Sequence, residues 1–356
     1  MRERCPVAFS TFLGWSLFRH SDIVGVLADS ELYSSISNHR AVPNGMDPPV
    51  HTHFRQALEP MFHVERMTAF EPHCRRTAAE LVGDLMAASE FDFVSEFAQP
   101  FSMKALCAFL GWPPDAWKSL LGWTHGNQAA ALSRNRKDGK ALALEFAGYV
   151  ERALQTRRRS GAQVGDDFTD HLMRIEVEGE PLDDEDIVSV LRNWTAGHGT
   201  VAAALGILMY FLADNDDAQK QLRAEPALLP AAIEEILRAD GPLVANRRTT
   251  TRGVEIGGRT IGAGEKLTLN WIAANRDDRV FSDPGKVRFN REHSANLLFG
   301  AGIHDCLGAP LARLEMRAAM EELLARTSSI KLGAVQSNKR DVYPGNGFSR
   351  LPVRLL

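Results

Sequence analysis

A chain of 356 residues, 44% hydrophobic and 24% charged, is long enough to bury a large core and has the balance of an ordinary globular protein. Lysine and arginine number 41 against 45 aspartates and glutamates, a formal net charge of −4, so the positive excess that a nucleic-acid partner demands is missing. The four cysteines, Cys5, Cys74, Cys107 and Cys306, are scattered without a C-x-x-C pair, which argues against a disulfide framework or a zinc site and fits a reducing cytoplasm.

Arg2 and Arg4 precede an apolar stretch, but Glu3, Ser10, Thr11 and Gly14 interrupt it, so the N-terminus does not read as a signal peptide. From Val7 to about Leu17 a short aromatic and β-branched pattern around Gly14 predicts a hairpin, and His20 to Ala28 turns helical. A brief polar link, Ser34 to Asp47, leads to Pro48 and Pro49, which stop regular structure before a helix from Thr52. His51 and Arg55 are four apart and would share a helix face. Phe70 to Arg159 reads as successive amphipathic helices, broken near Trp112 to Pro114 and at Asp138 to Gly139, and Thr156 to Gly161 reads as a solvated helix end. No linker divides the chain, so residues 1–356 are expected to form one domain, mainly α with a minor β region.

Leu182 to Asp214 carries one apolar stripe, from Ile187 through Trp194 and Val201 to Leu212, and predicts a long interior helix. Its most apolar run, Thr200 to Ala213, is shorter than the about 20 residues a membrane crossing takes. Ala196, Gly197, His198, Gly199 and Thr200 lie at its middle, where each glycine costs roughly 1 kcal/mol relative to alanine, so something must sit against them. Glu235 and Arg238 are spaced to pair on the next long helix, and a glycine-punctuated β region follows. In it Arg247 and Arg248 are neighbours on a strand and face opposite ways. The stretch Phe299 to Leu324 then places Gly300, Gly302, His304, Cys306 and Gly308 ahead of a helical pattern. A helix N-terminus favours the thiolate, the metal-binding form of cysteine, and glycines let backbone approach a flat partner.

This last segment, F-G-x-G-x-H-x-C-x-G, resembles the haem-binding loop of the cytochrome P450 family, with Phe299, Gly300, Gly302, His304, Cys306 and Gly308 on the motif. The resemblance runs through most of the chain and implies the P450 fold, a triangular helical prism around a buried haem. It implies heme b (iron protoporphyrin IX) with Cys306 as axial iron ligand, and His304, His51, Arg55 and Arg248 as propionate partners. Glu235, Arg238 and Arg291 match the family's buried structural triad, and Leu243, Val244, Ala245 and Phe348 would wall the substrate pocket. Thr200 matches the threonine that manages protons to dioxygen, but the acidic position before it is Gly199. His198, a bound water network or a substrate group is left to supply protons. Family members begin with more chain upstream and have a longer link after Ser34, so a shortened N-terminus and a more open pocket are expected.

The implied function is monooxygenation, in which dioxygen and two electrons hydroxylate or epoxidise a small apolar organic substrate. With no fused reductase in the chain, a ferredoxin or flavodoxin-type donor with its own reductase would supply the electrons, docking near Arg66, Arg75, Arg76 and Arg313. A cytoplasmic protein with no membrane partner is expected. A peroxide-driven enzyme, a non-catalytic haem sensor and a haem-free helical protein with a structural Cys306 stay open as alternatives.

Overall fold

The computed structural model describes residues 2–37, 39–133, 135–160, 165–333 and 338–356. The predicted N-terminal hairpin is β1 (Val7–Ser10) and β2 (Gly14–Leu17), turned at Gly14 with φ +69°. α1 (His20–Ala28) buries Ile23, Val26 and Leu27, and β3 (Tyr33–Ser34) follows. Next come α2 (Val50–Leu58), α3 (Val64–Leu85), β4 (Phe91–Asp92) and α4 (Gln99–Leu110), the last entered through a π turn at Val94–Ala98. α5 (Trp117–Ser133), α6 (Arg136–Ser160), α7 (Phe168–Leu172) and the small hairpin of β5 (Glu176–Val177) and β6 (Glu180–Pro181) lead to α8 (Asp184–Asp214). Then follow α9 (Asp216–Ala224), α10 (Leu229–Ala239), β7 (Ala245–Thr250), β8 (Val254–Ile256), β9 (Arg259–Ile261), β10 (Lys266–Asn270) and α11 (Trp271–Ala274). α12 (Ala309–Arg326) and the strands β11 (Ile330–Leu332), β12 (Lys339–Arg340), β13 (Phe348–Arg350) and β14 (Pro352–Leu355) end the chain.

The main sheet runs β1-β2-β10-β7-β3, with β2 and β10 parallel and the other pairs antiparallel. Its own small core packs Leu17, Ile23, Leu267 and Trp271, while the larger core gathers side chains from α2 to α10 and α12. α8 runs through that larger core. At 31 residues, with a window of mean hydropathy 1.5, it is long and apolar enough to cross a membrane by length and composition, more than its most apolar run suggests. Other elements bury 61% of that window, which accounts for its apolar content.

Two local expectations change. The break between α5 and α6 falls ahead of Asp138 and Gly139, because the Asn135 side-chain oxygen accepts the Lys137 and Asp138 N–H groups and starts α6 there. Thr156, Arg158 and Arg159 are exposed as a solvated end requires, but Arg157 turns inward: it reaches the Asp167 carboxylate at 2.9 Å, Asp170 and the Gly111 carbonyl at 2.5 Å, tying α6 to α7 and to the end of α4. Gly161 and Asn38, which belong to these predicted segments, lie outside the described residues.

The link from Ser34 to Asp47 is strapped to the first half of α8. Arg40 Nε meets Asp186 Oδ1 at 2.6 Å, Val42 N–H donates to Ser189 Oγ at 3.0 Å, and Asn193 Nδ2 donates to Val42 O at 3.0 Å. Among its described residues there is no helix.

Candidate active site

The loop before α12 is shaped by glycines at two points. Gly300 and Gly302 have φ of +75° and +74°, and a Cβ on Gly302 would lie 2.6 Å from Leu27 O, so α1 presses directly on the backbone there. The Cys306 N–H donates to Phe299 O at 2.8 Å and closes the loop, and α12 begins three residues on, with Ala309 N–H donating to Cys306 O at 3.1 Å. Cys306 keeps exposed surface, but that surface looks into a cleft and not into bulk water. Burial therefore pushes its thiol up, against the Gly308 N–H and the Arg55 charge, which pull it down. The helix start alone does not make this thiol acidic. A cavity of about 360 Å³ adjoins the loop, lined by Phe299, Cys306, Ala309, Glu234 and Arg313 among others.

His51 and His304 come together from α2 and the loop, ring centroids 4.1 Å apart. Burial lowers both imidazoles, that of His304 to about 3, and the neighbouring His51, Arg55 and Arg248 add to the effect there. His51 Nδ1 and His304 Nε2 are buried with no hydrogen-bond partner. Arg248 is half-buried, burial lowers its pKa, and the one hydrogen bond of its guanidinium among the described residues is to Arg247 O at 2.8 Å. Two orphaned ring nitrogens beside a desolvated guanidinium make a pocket that lacks an anion, and the carboxylates of a haem fit that deficit. Arg55 is committed differently: its guanidinium bonds Asp305 O at 2.6 Å and Asp305 Oδ1 at 2.5 Å, pinning the loop beside Cys306. Arg247, the neighbour of Arg248 on the strand, lines a separate cavity of about 770 Å³ beside the β1–β2 hairpin.

On α8, Ala196 and Gly197 are exposed although the helix runs through the interior, and a Cβ on Gly197 would meet nothing within 4 Å. Thr200, on the same face one turn on, is half-buried, and no hydrogen bond of its hydroxyl is found among the described residues. Thr195 behaves otherwise and bonds back to Leu191 O at 2.9 Å, the usual habit of a helix threonine. A Cβ on Gly199 would touch Thr124 Cγ2 at 3.6 Å. His198 points away, to a buried Glu315 on α12 at 3.0 Å. Glu315 is absent from the sequence expectations, yet its signal was present: it falls four after Leu311 and three before Ala318, inside the apolar stripe.

Gly308 meets a protein ring. A Cβ there would lie 2.5 Å from Trp194 Cζ3, and that indole is stacked on Phe62 at 4.7 Å and edge-on to Phe168 at 5.5 Å. With the indole held between those two rings, Gly308→Ala is expected to cost about 1–3 kcal/mol, read as a lower urea midpoint at unchanged slope.

Glu235, Arg238 and Arg291 come together as the spacing suggests. Glu235 accepts from Arg238 Nε at 2.7 Å, Arg238 Nη2 at 3.0 Å, Arg291 Nε at 2.9 Å and the Arg288 N–H at 2.9 Å. Arg238 also donates to Asn275 O at 2.6 Å, and Asn275 Oδ1 accepts the Leu297 N–H at 2.8 Å, so the cluster anchors the segment that runs into the cysteine loop. Leu243 and Val244 are half-buried and Ala245 is buried at the start of β7. Phe348 is buried against Tyr210, ring centroids 5.0 Å apart, and the turn before it presses on α8, a Cβ on Gly347 lying 2.7 Å from Ala203 Cβ. Of the four surface arginines, Arg66 pairs with Asp166, Arg75 with Glu71 and Glu321, and Arg313 with Glu234, while Arg76 is exposed without an ion pair among the described residues.

The Cytochrome P450 family profile matches residues 103–353. Cyclomarin C epoxidase of Salinispora arenicola is 32% identical over 367 residues, covering 97% of this chain and 91% of its own. Linalool 8-monooxygenase of Pseudomonas putida is 29% identical, over 96% of this chain and 89% of its own. The solved structure of the open cytochrome P450 Eryk from S. erythraea superposes with a TM-score of 0.89 at 30% identity, covering 100% of this chain and 93% of that one. Likeness of this extent, in sequence and in fold, places the chain in the cytochrome P450 family as a haem-thiolate monooxygenase of the bacterial type.

Proposed function

We propose that this single-domain protein binds heme b through the Cys306 thiolate and hydroxylates or epoxidises a small apolar organic substrate in the cytoplasm, drawing two electrons from a separate ferredoxin or flavodoxin-type donor. Relatives named as an epoxidase, a hydroxylase and a monooxygenase support both kinds of oxygen insertion. The observation that carries the reading is the half-buried Thr200 hydroxyl, without a hydrogen bond among the described residues, beside the open backbone of Gly197 on a helix that runs through the core.

When bound, the haem supplies an iron centre that activates dioxygen, and a thiolate ligand favours O–O cleavage. The protein's part is to hold and to exclude. His51, His304 and Arg248 receive the propionates, and Arg55 fixes the loop through Asp305. The ligand form of Cys306 is the thiolate, so loading releases the proton that burial otherwise keeps on sulfur. Leu243, Val244 and Ala245 offer apolar surface for the substrate, and Thr200 Oγ1 can donate to dioxygen and accept from a water behind it. Arg76, exposed and without an ion pair among the described residues, is a contact for an acidic electron donor.

Thr200→Ala is expected to cut product formed per electron pair by at least about tenfold, with hydrogen peroxide released in its place. The assay uses reduced ferredoxin or flavodoxin with its reductase, a substrate panel, and peroxide measured alongside product. Gly199 in the acidic position favours one second reading, a peroxide-driven enzyme. Equal turnover with hydrogen peroxide alone and no donor would establish that reading instead, and no product under either condition would leave a haem-binding module.

A further inference from the structure

We propose that the substrate is an organic acid with an apolar body, its carboxylate held in the cavity of about 770 Å³ beside the β1–β2 hairpin while the body reaches the bare backbone of α8; this rests on the monooxygenase reading above. The cavity gathers three segments distant in sequence: the hairpin tip, the junction of α5 with α6, and strands β7 and β10. Arg136, Arg247 and Lys266 line it against one carboxylate, Glu265, in a chain whose net charge is −4. None of the three cations has an ion pair among the described residues.

Each cation stands where its charge is unfavourable without an anion. Thr268 is opposite Arg247 in the β10–β7 ladder, so Lys266, two residues earlier, is the diagonal neighbour of Arg247 on the same face, about 7–8 Å away. Arg136 is the first residue of α6, at the positive end of that helix. The half-buried Asn127 on α5 adds an amide with no hydrogen bond among the described residues. A carboxylate answers all four groups, and a guanidinium receives it through two parallel bonds. The rim supplies an apolar part: Phe9 and Phe12 at the hairpin tip are 58% and 47% exposed, and aromatic surface rimmed by polar groups marks a ligand site. The hairpin is fixed over the sheet, because Thr268 Oγ1 donates to Leu13 O at 2.6 Å and the Gly14 backbone presses on Lys266 O.

Two walls of the cavity run on to the reacting face. Along α5, Asn127 lies one turn from Thr124, a rise of about 4.5 Å on the same side of the helix. The Thr124 hydroxyl bonds back to Leu120 O at 2.9 Å, and its methyl is 3.6 Å from where a Cβ on Gly199 would lie. Along β7, Arg247 is two residues, about 7 Å, from the buried Ala245. A carboxylate at Arg247 therefore directs the apolar body past Thr124 and Ala245 toward Gly199 and Thr200. The carbon oxidised is then set by its distance from the acid group.

The test uses the oxidised holoenzyme without turnover and two matched pairs of probes, decanoate with decanol and phenylbutyrate with phenylbutanol, titrated by calorimetry and by the absorption of the ferric haem. At least one acid should bind at least about tenfold more tightly than its alcohol and change the haem absorption. That advantage should shrink as ionic strength rises from about 0.01 M to about 1 M, which cuts the screening length from about 30 Å to about 3 Å. Arg247→Gln with Lys266→Gln should bring the affinities of acid and alcohol to within about twofold of each other. Both side chains are exposed, and Arg248 bonds the carbonyl of residue 247, which the substitution keeps, so the variant folds. Neither acid binding more tightly than its alcohol, an advantage that survives the double variant, or an acid that binds by calorimetry and leaves the haem absorption unchanged would each overturn the proposal, the last by making the acid an effector and not the substrate. Failure of the monooxygenase reading shows separately, as an unmodified enzyme that forms no product from dioxygen with its electron donor.

Discussion

Cys306→Ser gives a folded protein whose reduced carbon monoxide complex lacks the red-shifted thiolate band and whose turnover with dioxygen falls to background. The change removes little else. The Cys306 backbone closes the loop through Phe299 O, Gly300 and Gly302 set its course, and Arg55 holds it through Asp305, none of which involves sulfur. With a near-isosteric side chain facing the same cleft, stability should move by no more than about 0.5 kcal/mol. A serine hydroxyl titrates far above a thiol and is a poor ligand in its neutral form, so the substitution isolates the ligand bond. An absorption spectrum untouched by Cys306→Ser would remove the basis for the assignment of Cys306 as ligand. Partial retention of haem with an altered spectrum would support it, since His51, His304 and Arg248 still receive the propionates.

Glu235→Ala is expected to cost about 3–5 kcal/mol, the range for removing one partner of a buried ion pair, because Arg238 would be left charged with no exposed surface. Its reach extends beyond α10: once Arg238 and Arg291 lose their common carboxylate, the segment from Asn275 to Leu297 that feeds the cysteine loop is loosened. Urea unfolding should show the loss, and haem retention should fall with it. The pH dependence gives a sharper signature. Burial by itself would raise the Glu235 carboxyl, but the bonds from Arg238, Arg291 and the Arg288 N–H outweigh it and hold the pKa below the ordinary value. A depressed carboxylate contributes stability above its unfolded pKa of about 4.3 and loses it as pH falls through the folded value. The gap in stability between native protein and Glu235→Gln should therefore be widest above the unfolded pKa of about 4.3 and narrow as the pH falls below it. A gap that stays constant over that window would mean that the carboxylate is not the stabilising partner.

Two kinds of feature divide this protein. Features set by near neighbours in the chain were legible from the residues alone: the hairpin at Gly14, the long helix around Thr200, the Glu235 to Arg238 spacing, and above all the glycine, histidine and cysteine order before α12. In each, a backbone conformation or a helical repeat places the groups, and both are local properties. Even there the local rule misled once, since burial overrides the helix start at Cys306 and raises the thiol.

What the tertiary structure alone decided are the meetings between distant segments. Arg157 closes on Asp167 and Asp170 where a solvated end was expected, Gly308 is filled by Trp194, and Arg55 is turned to Asp305. His198 and Glu315, 117 residues apart, meet only because α8 and α12 cross at that point. Sequence spacing determines which residues share one face of one helix; which second face is pressed against it depends on how the helices pack, and that is set by the fit of the whole core.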